Sequence, residues 1–207
     1  MYFSIENLIN TIRLNQKSGL LIVISGPSGV GKGTIIKKLM EKPDLNLELS
    51  ISLTTRHPRD TEIHGKDYFF VSEHEFKKAI EDNELLEFTN YNDNFYGTPV
   101  KFVKEQTKKG RNVILEIDIY GGLQVQEKKI TNSVFIFILP PTFEDLKKRL
   151  EKRGTDSPET IQKRLYKTNE EIKFIDKYDY IVINDSLDKA LNQIESIIIA
   201  SHCKLKL

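Results

Sequence analysis

Apolar runs alternate with helical patterns along most of the chain. Four of these runs have the length and the apolar content of buried strands, at Leu20–Ile24, Val113–Ile117, Val134–Leu139 and Tyr180–Ile183. Each is followed by a segment whose apolar residues recur at helical spacing. This alternation predicts an α/β fold in which a parallel sheet is covered by helices on both faces.

Local signals mark the ends of several predicted helices. Thr142, Ser157 and Ser186 precede helical segments and are expected to be N-caps, because their side-chain oxygens can accept bonds from unpaired backbone N–H groups. Gly110 and Gly154 stand where helices are expected to stop.

The first 18 residues also carry apolar residues at helical spacing. Polar residues interrupt this stripe, which indicates a surface helix rather than a secretory signal. We expect the helix either to pad the core or to mediate self-association, as a homodimer or a higher oligomer. Its apolar positions are Ile5, Leu8, Ile9 and Ile12.

Residues 49 to 97 follow a different pattern. Short alternating runs predict strands at Leu49–Leu53, Tyr68–Val71 and Leu85–Tyr91, with a helix that Ser72 caps and a turn at residues 92–94. We interpret this stretch as a small inserted subdomain.

The first apolar run leads directly into a loop of the form G-x-x-x-x-G-K. Its glycines allow the backbone N–H groups to approach phosphate oxygens, and Lys32 adds a full positive charge. A glycine-rich turn is the alternative, but the strand before it and the apolar helix after it favour binding of a nucleoside triphosphate. The loop and the residues that follow it are Gly26, Pro27, Ser28, Gly29, Val30, Gly31, Lys32, Gly33 and Thr34.

A second anion site is predicted in the insert. Arg56 and Arg59 lie three positions apart around Pro58, which makes a compact pair of guanidinium groups for another phosphate. Two anion sites indicate phosphate transfer between two substrates, whereas a solvated basic loop is the alternative. Tyr68 and Tyr96 are either phenolic donors to that phosphate or half-buried aromatic residues of a sheet.

Composition narrows the class of protein. The 207 residues carry a formal net charge of +1, so no overall attraction to nucleic acid or to an anionic membrane is expected. The longest apolar runs are far shorter than the ~20 residues that span a bilayer. The only cysteine excludes an intramolecular disulfide, and the scattered histidines show no paired metal-ligand spacing. We therefore expect a protein of the reducing cytoplasm.

Five separated blocks, in this order and spacing, resemble guanylate kinase, over roughly residues 19 to 200. The blocks are Gly26–Lys32, Ser52–Glu62, Gly65–Tyr68, Phe95–Thr98 and Lys152–Thr155. The resemblance implies the reaction of ATP with GMP to give ADP and GDP, on a three-layer P-loop fold. It divides the chain into an extension at 1–18, core segments at 19–48, 99–141 and 171–207, a GMP-binding subdomain at 49–98 and a helical lid at 142–170.

The resemblance implies a guanine pocket around Glu87. This carboxylate would accept the N1–H and the 2-amino group of guanine and repel the N1 lone pair of adenine, while Thr98 would donate to O6. Ser52 and Asp118 would lie near the 2-amino side. Without the resemblance, Glu87 would be read as a solvent-facing carboxylate and Thr98 as the N-cap before Pro99.

The resemblance also assigns the phosphate contacts. Glu62 would orient an arginine beside the GMP phosphate, whose binding residues would be Arg56, Arg59, Tyr68 and Tyr96. Asn184 and Asp185 match an adenine-side loop, although they could form a simple turn. The residues implied to act on the transferring phosphoryl group are Lys32, Arg56 and three lid arginines, Arg149, Arg153 and Arg164.

One position departs from the usual phosphate loop. Gly33 stands where a Ser or Thr hydroxyl normally binds Mg²⁺. We retain Mg²⁺ as the cofactor of ATP without naming a protein ligand, because Mg²⁺ is often held by phosphates and water. Thr34 could bind a phosphate or reach the ion through water, and Glu116 is left unassigned.

Two other functions compete with this reading. Another nucleoside monophosphate kinase would share Lys32 and the lid arginines, but Glu87 with Thr98 argues against adenine or uracil. A non-catalytic module that binds phosphopeptides through the insert would be expected to have a degraded ATP loop, whereas Lys32 is present.

Overall fold

Two β-sheets organise the chain, which is seen here in a computed structural model that describes residues 5, 18–91, 93–154 and 156–204. In chain order the strands are β1 Leu21–Ser25, β2 Leu47–Leu49, β3 Leu53–Thr54, β4 Phe69–Phe70, β5 Leu85–Tyr91, β6 Asn94–Pro99, β7 Asn112–Glu116, β8 Ser133–Leu139 and β9 Tyr180–Ile183. The helices of the described ranges are α1 Lys32–Met40, α2 Glu73–Glu81, α3 Val100–Lys108, α4 Ile119–Glu127, α5 Phe143–Lys152, α6 Pro158–Ile172 and α7 Leu187–His202.

The larger sheet is parallel and has the order β2-β7-β1-β8-β9. Alternate residues of β1 point to opposite faces, and all are fully buried. Helices α1 and α7 cover the face of Ile22 and Ile24, while α3 and α4 cover the face of Leu21 and Val23. The predicted parallel sheet between two helical layers is therefore confirmed.

The smaller sheet has the order β4-β3-β6-β5 and mixes one parallel pair with two antiparallel pairs. It has its own core, in which Phe76 of α2 stacks on Phe95 at a ring-centroid distance of 5.4 Å. Ser72 caps α2 as predicted, since its hydroxyl accepts the Glu75 N–H and the Glu75 carboxylate accepts the Ser72 N–H.

The predicted strand at Leu49–Leu53 is wrong, because the chain crosses from one sheet to the other within it. Leu47–Leu49 pairs with β7 in the larger sheet, and the Ser50 N–H still donates to the Ile114 carbonyl at 2.9 Å. Pairing then resumes in the smaller sheet at Leu53. The run Tyr68–Val71 shortens to the two residues of β4, and no sequence pattern predicted β6, which contains Gly97 and Pro99.

Most helix ends lie where the sequence predicts them. Thr142 and Ser157 cap α5 and α6 through their side-chain oxygens, whereas Ser186 occupies the N-cap of α7 without a side-chain capping bond. Gly110 and Gly154 have the positive φ angles of 79° and 65° expected of helix stops. The predicted helix of residues 1–18, except for positions 5 and 18, lies outside the described residues, as do Asn92 and Thr155. No helix of the described ranges is long and apolar enough to cross a membrane.

Candidate active site

The phosphate loop joins β1 to α1 at the carboxyl edge of the larger sheet. Gly31 has φ 102°, and a Cβ at this position would lie 2.7 Å from Nδ2 of Asn184. The Lys32 ammonium donates to the carbonyl oxygens of Gly26 at 2.6 Å and Pro27 at 3.2 Å. Because an ammonium has three hydrogens, one donor remains for a ligand.

Burial lowers the pKa of Lys32, and three nearby carboxylates oppose this shift. They belong to Glu116, Glu171 and Asp118. Glu116 ends β7, which pairs with β1, and its side chain opens into the cavity described below. Desolvation by the surrounding protein nevertheless raises the pKa of Glu116, while the positive charge of Lys32 lowers it. The phosphate loop therefore lies close to a group of three carboxylates.

A cavity of about 590 Å³ lies between the phosphate loop, the two sheets and α6. This volume is within the range of small-molecule sites. Among the residues predicted for the site, the cavity is lined by Gly26, Ser28, Lys32, Ser52, Tyr68, Glu87, Tyr96, Asp118 and Arg164. Lys32 of the first predicted anion site and Tyr68 and Tyr96 of the second thus line one cavity, whereas Arg56 and Arg59 do not line it.

Glu87 points into this cavity from β5 and is only 4% exposed. Its Oε1 accepts the hydroxyl of Thr98 at 2.7 Å, and burial raises the pKa of Glu87 to about 7. The readings of Glu87 as a solvent-facing carboxylate and of Thr98 as an N-cap are therefore wrong. Thr98 lies within β6, and Pro99 occupies the N-cap of α3.

Helix α4 begins beside the Glu87 carboxylate. Asp118 caps this helix, because its Oδ1 accepts the Gly121 N–H at 2.9 Å. A Cβ on Gly121 would lie 2.6 Å from the Glu87 Oε2, so this close approach requires glycine. Gln124, one turn further, accepts the Phe88 N–H at 3.0 Å and donates to the Phe88 carbonyl at 2.8 Å. These contacts attach the smaller sheet to α4, which packs against the larger sheet.

The two arginines of the insert lie in different surroundings. Arg56 Nη2 donates to both Glu62 oxygens, at 2.8 and 2.9 Å, and its guanidinium lies 5.6 Å from the ring centre of Tyr68. The Glu62 hydrogen bond raises the pKa of Arg56. Arg59 exposes its side chain, while its backbone N–H donates to Glu62 Oε2 at 2.8 Å. Tyr96 meets Tyr68 edge to face at 6.0 Å.

Of the three arginines predicted for a lid, Arg164 lines the cavity, where it donates to the Ser28 hydroxyl and to Asp156 Oδ1 at 3.1 Å. Arg149 donates to the carbonyl of Val30 at 3.1 Å and to that of Asn184 at 2.8 Å. Arg153 is exposed and does not line the cavity.

The two residues predicted for the adenine side differ in their exposure to solvent. Asn184 is 8% exposed, and its Nδ2 donates to the Val30 carbonyl at 2.8 Å, so it holds the phosphate loop from the end of β9. Asp185 is exposed, and its carboxylate accepts the Ser186 N–H at 2.6 Å, which lowers the pKa of Asp185.

Sequence reasoning missed several cavity residues, among them two charged residues of α6, Lys167 and Glu171. They share a face of α6 with Arg164, because they follow it by three and seven residues. Once Arg164 was predicted for the site, the helical period would have predicted that these two residues lie beside it. Within the residues that the structure describes, no group of three His, Cys, Asp or Glu side chains is arranged to hold a metal ion.

Comparisons with known proteins agree with this geometry. The family model described as guanylate kinase matches residues 18–201. A guanylate kinase of Caldanaerobacter subterraneus subsp. tengcongensis is 54% identical over 190 residues, which cover 92% of this chain and 91% of that protein. One from Clostridium perfringens (strain SM101 / Type A) is 47% identical over 198 residues, which cover 96% and 90%.

A solved structure supports the same assignment. The crystal structure of guanylate kinase from Anaplasma phagocytophilum matches with a TM-score of 0.72 and 32% sequence identity, over 91% of this chain and 88% of that one. The resemblance found in the sequence motifs is confirmed, and this chain belongs to the guanylate kinase family.

Proposed function

We propose that this chain transfers the γ-phosphoryl group of ATP to GMP, giving ADP and GDP. The observation that carries the proposal is the buried carboxylate of Glu87, which accepts the hydroxyl of Thr98 and lines the cavity that Lys32 also lines. A base-reading carboxylate and a phosphate-binding loop at one cavity are the two parts that a nucleotide kinase requires. Family membership supports the same reaction.

Guanine fits the chemistry of this pair better than adenine does. Ionised Glu87 can accept both the N1–H and the 2-amino group of guanine, whereas adenine N1 presents a lone pair. Since Glu87 is buried, the wrong base would leave polar groups unpaired, and such sites discriminate by ~10⁴–10⁵. The Thr98 hydroxyl has one hydrogen, so it must turn from Glu87 to donate to guanine O6. Ser52 and Asp118 are the proposed contacts on the 2-amino side.

We assign the phosphate of GMP to Arg56, Arg59, Tyr68 and Tyr96. The Glu62 carboxylate fixes the Arg56 guanidinium through two bonds, which favours a defined direction for its remaining donors. Charge-assisted hydrogen bonds of this kind contribute ~1.5–3 kcal/mol each.

On the donor side, the loop from Gly26 to Thr34 is the proposed ATP phosphate site, with Asn184 and Asp185 at the adenine. Lys32 presents its third hydrogen to the transferred phosphate. Phosphoryl transfer requires mainly in-line positioning and charge stabilisation, which we assign to Lys32, Arg56 and the lid arginines Arg149, Arg153 and Arg164. Closure of α5 and α6 over the cavity would exclude water and complete this set.

Mg²⁺ belongs to this proposal as the partner of ATP. Gly33 supplies no hydroxyl, but a Cβ there would lie 3.9 Å from both Glu116 oxygens, so a carboxylate faces the place where the hydroxyl is usually found. One carboxylate with phosphates and water fits the oxygen ligands that Mg²⁺ prefers, and Glu116 would hold the ion. When bound, the ion neutralises charge on the phosphates.

A non-catalytic binding module is the alternative from another class. The ordered contacts of Lys32 and Arg164 with the loop support catalysis over this alternative. A cytoplasmic location and a role in purine nucleotide metabolism follow from the proposed reaction and agree with the single, exposed Cys203.

The test is ADP release from MgATP with GMP, dGMP, AMP and UMP in parallel. We expect turnover with guanine nucleotides alone, and Lys32→Ala should lose at least about 100-fold in kcat while still binding GMP. Turnover with AMP or UMP would overturn the base assignment. Full turnover by Lys32→Ala would contradict the mechanism, and GMP binding without turnover by the wild-type protein would support the binding module.

A further inference from the structure

Helix α6 presents a second cation to the cavity beyond Arg164. Lys167 follows Arg164 by three residues and precedes Glu171 by four, so the three side chains form one charged face that lines the cavity. Lys167 Nζ lies 3.8 Å from Asp118 Oδ2 and 3.7 Å from Glu171 Oε1. It also lies 5.9 Å from the ring centre of Tyr120. Lys167 therefore stands between two carboxylates and an aromatic ring.

The two oxygens of Asp118 have different partners. Oδ1 accepts the Gly121 N–H at the start of α4, whereas Oδ2 faces Lys167. Because the capping bond engages Oδ1, Oδ2 is the oxygen left for a ligand in the cavity. Lys167 is thus the charged neighbour of the oxygen that the proposed function assigns to the 2-amino side of guanine.

Glu171 needs a counter-charge. It is 5% exposed, and burial raises the pKa of its carboxyl, while Lys167 and Lys32 act in the opposite direction. Lys32 already uses two of its hydrogens on the loop carbonyls and belongs to the phosphate site. Without Lys167, the repulsion between the carboxylates of Asp118 and Glu171 would be opposed less, because Lys32 also serves the phosphate site.

We propose that Lys167 is a positioning residue for the acceptor nucleotide, which holds Asp118 Oδ2 toward the cavity and balances the buried charge of Glu171. This inference rests on the proposed function, since it assumes that the acceptor is GMP. It assigns Lys167 no contact with the transferred phosphoryl group. Its effect should therefore fall on acceptor binding and leave ATP binding intact.

The test is a calorimetric titration of GMP into the full-length protein, without ATP. We expect Lys167→Gln to raise the Kd for GMP about fivefold, as expected for loss of a partly exposed ion pair. Lys167→Arg keeps the charge and should stay within about twofold of the wild type. The matched control is Lys163→Gln, which removes an exposed lysine of the same helix outside the cavity and should change nothing.

Steady-state kinetics provide the second measurement. We expect the KM for GMP to rise in Lys167→Gln while the KM for ATP stays within about twofold. An unchanged Kd for GMP, an equal rise in the KM for ATP, or failure of arginine to restore binding would overturn the inference. If the wild-type protein itself does not bind GMP, the proposed function fails; if it binds GMP and Lys167→Gln binds equally well, only the role of Lys167 fails.

Discussion

At the scale of single residues, the proposed recognition of guanine depends on the protonation of Glu87. Burial raises its pKa to about 7, the neighbouring Asp118 charge acts in the same direction, and the Thr98 hydrogen bond acts against it. A protonated carboxyl has one acceptor fewer and carries a hydrogen toward the guanine donors. The residue to which we assign the selection of the base is thus also sensitive to pH near neutrality.

We predict that the affinity for GMP falls as the pH decreases from 8 to 6, because Glu87 takes up a proton near pH 7. The measurement is the Kd for GMP by calorimetry across this range, in parallel with the KM for ATP, which should show no such step near pH 7. A Kd for GMP that is constant between pH 6 and 8 would contradict the ionised state assigned to Glu87.

The raised pKa of Glu87 also affects folding stability, which decreases as the pH rises, whereas the affinity for GMP is predicted to increase. Since the folded-state pKa of Glu87 is raised from 4.5 to about 7, the unfolded chain releases this proton first, and the folded state loses stability as the pH rises through that window. Glu87→Gln should therefore gain about 1–3 kcal/mol of unfolding free energy relative to the wild type at pH 8, and much less at pH 5. The two proteins can be compared by urea denaturation at both pH values.

Residue-scale features were predictable from sequence where neighbours along the chain create them. The Ser72 cap and the phosphate loop are local, so their residue types and spacing were sufficient. The partnership of Glu87 with Thr98 was not predictable from the pattern alone, because the two residues lie on adjacent strands, one of which contains Gly97 and Pro99 and shows no strand signal. Only the resemblance to a known family indicated their role.

At the scale of elements, the approach of α4 to β5 shapes the surroundings of Glu87 in the proposed base pocket. Gly121 leaves no room for a Cβ beside the Glu87 carboxylate, and Asp118 caps the same helix. A sequence pattern predicts that a helix follows β7, but it does not predict which strand of another sheet that helix will touch. The same limit explains the wrong strand at Leu49–Leu53, since a switch between sheets does not interrupt the alternation of apolar and polar residues.

We predict that Gly121→Ala raises the KM for GMP about tenfold and leaves the KM for ATP unchanged. Alanine favours helix by about 1 kcal/mol over glycine, but its Cβ would displace the Glu87 carboxylate, which lies 2.6 Å from that position. Steady-state kinetics with each substrate varied in turn provide the measurement. Glu127→Ala, an exposed change at the end of the same helix, is the control. Equal loss for both substrates would indicate a general distortion instead.

At the scale of the whole molecule, two sheets with separate cores share one cavity. The larger sheet supplies the phosphate loop and Asp118, while the smaller one supplies Glu87, Tyr68 and Tyr96. Side-chain contacts such as those of Gln124 with the Phe88 backbone connect the smaller sheet to α4, which packs on the larger sheet. The proposed transfer needs this distance to be reproducible, because phosphoryl groups must meet in line.

We predict that Gln124→Ala loosens this connection. Loss of its two hydrogen bonds to Phe88 should cost about 1–2 kcal/mol of unfolding free energy and raise the KM for GMP several-fold, with the KM for ATP unaffected. Urea denaturation and steady-state kinetics measure the two effects. Gln193→Ala, an exposed substitution on α7 far from the smaller sheet, should leave both unchanged. A stability loss without any change in KM would show that the contact does not set the spacing of the two sheets.

The two bonds from Lys32 to the carbonyls of Gly26 and Pro27 have a consequence for repeated turnover. A lysine side chain carries about 2 kcal/mol of rotamer entropy, and here folding has already restricted it before any phosphate arrives. The loss of rotamer entropy therefore lowers the folding stability once and does not recur in every catalytic cycle. If Lys32 binds the phosphate as proposed, its ammonium is already ordered when each nucleotide binds and stays ordered after each product leaves.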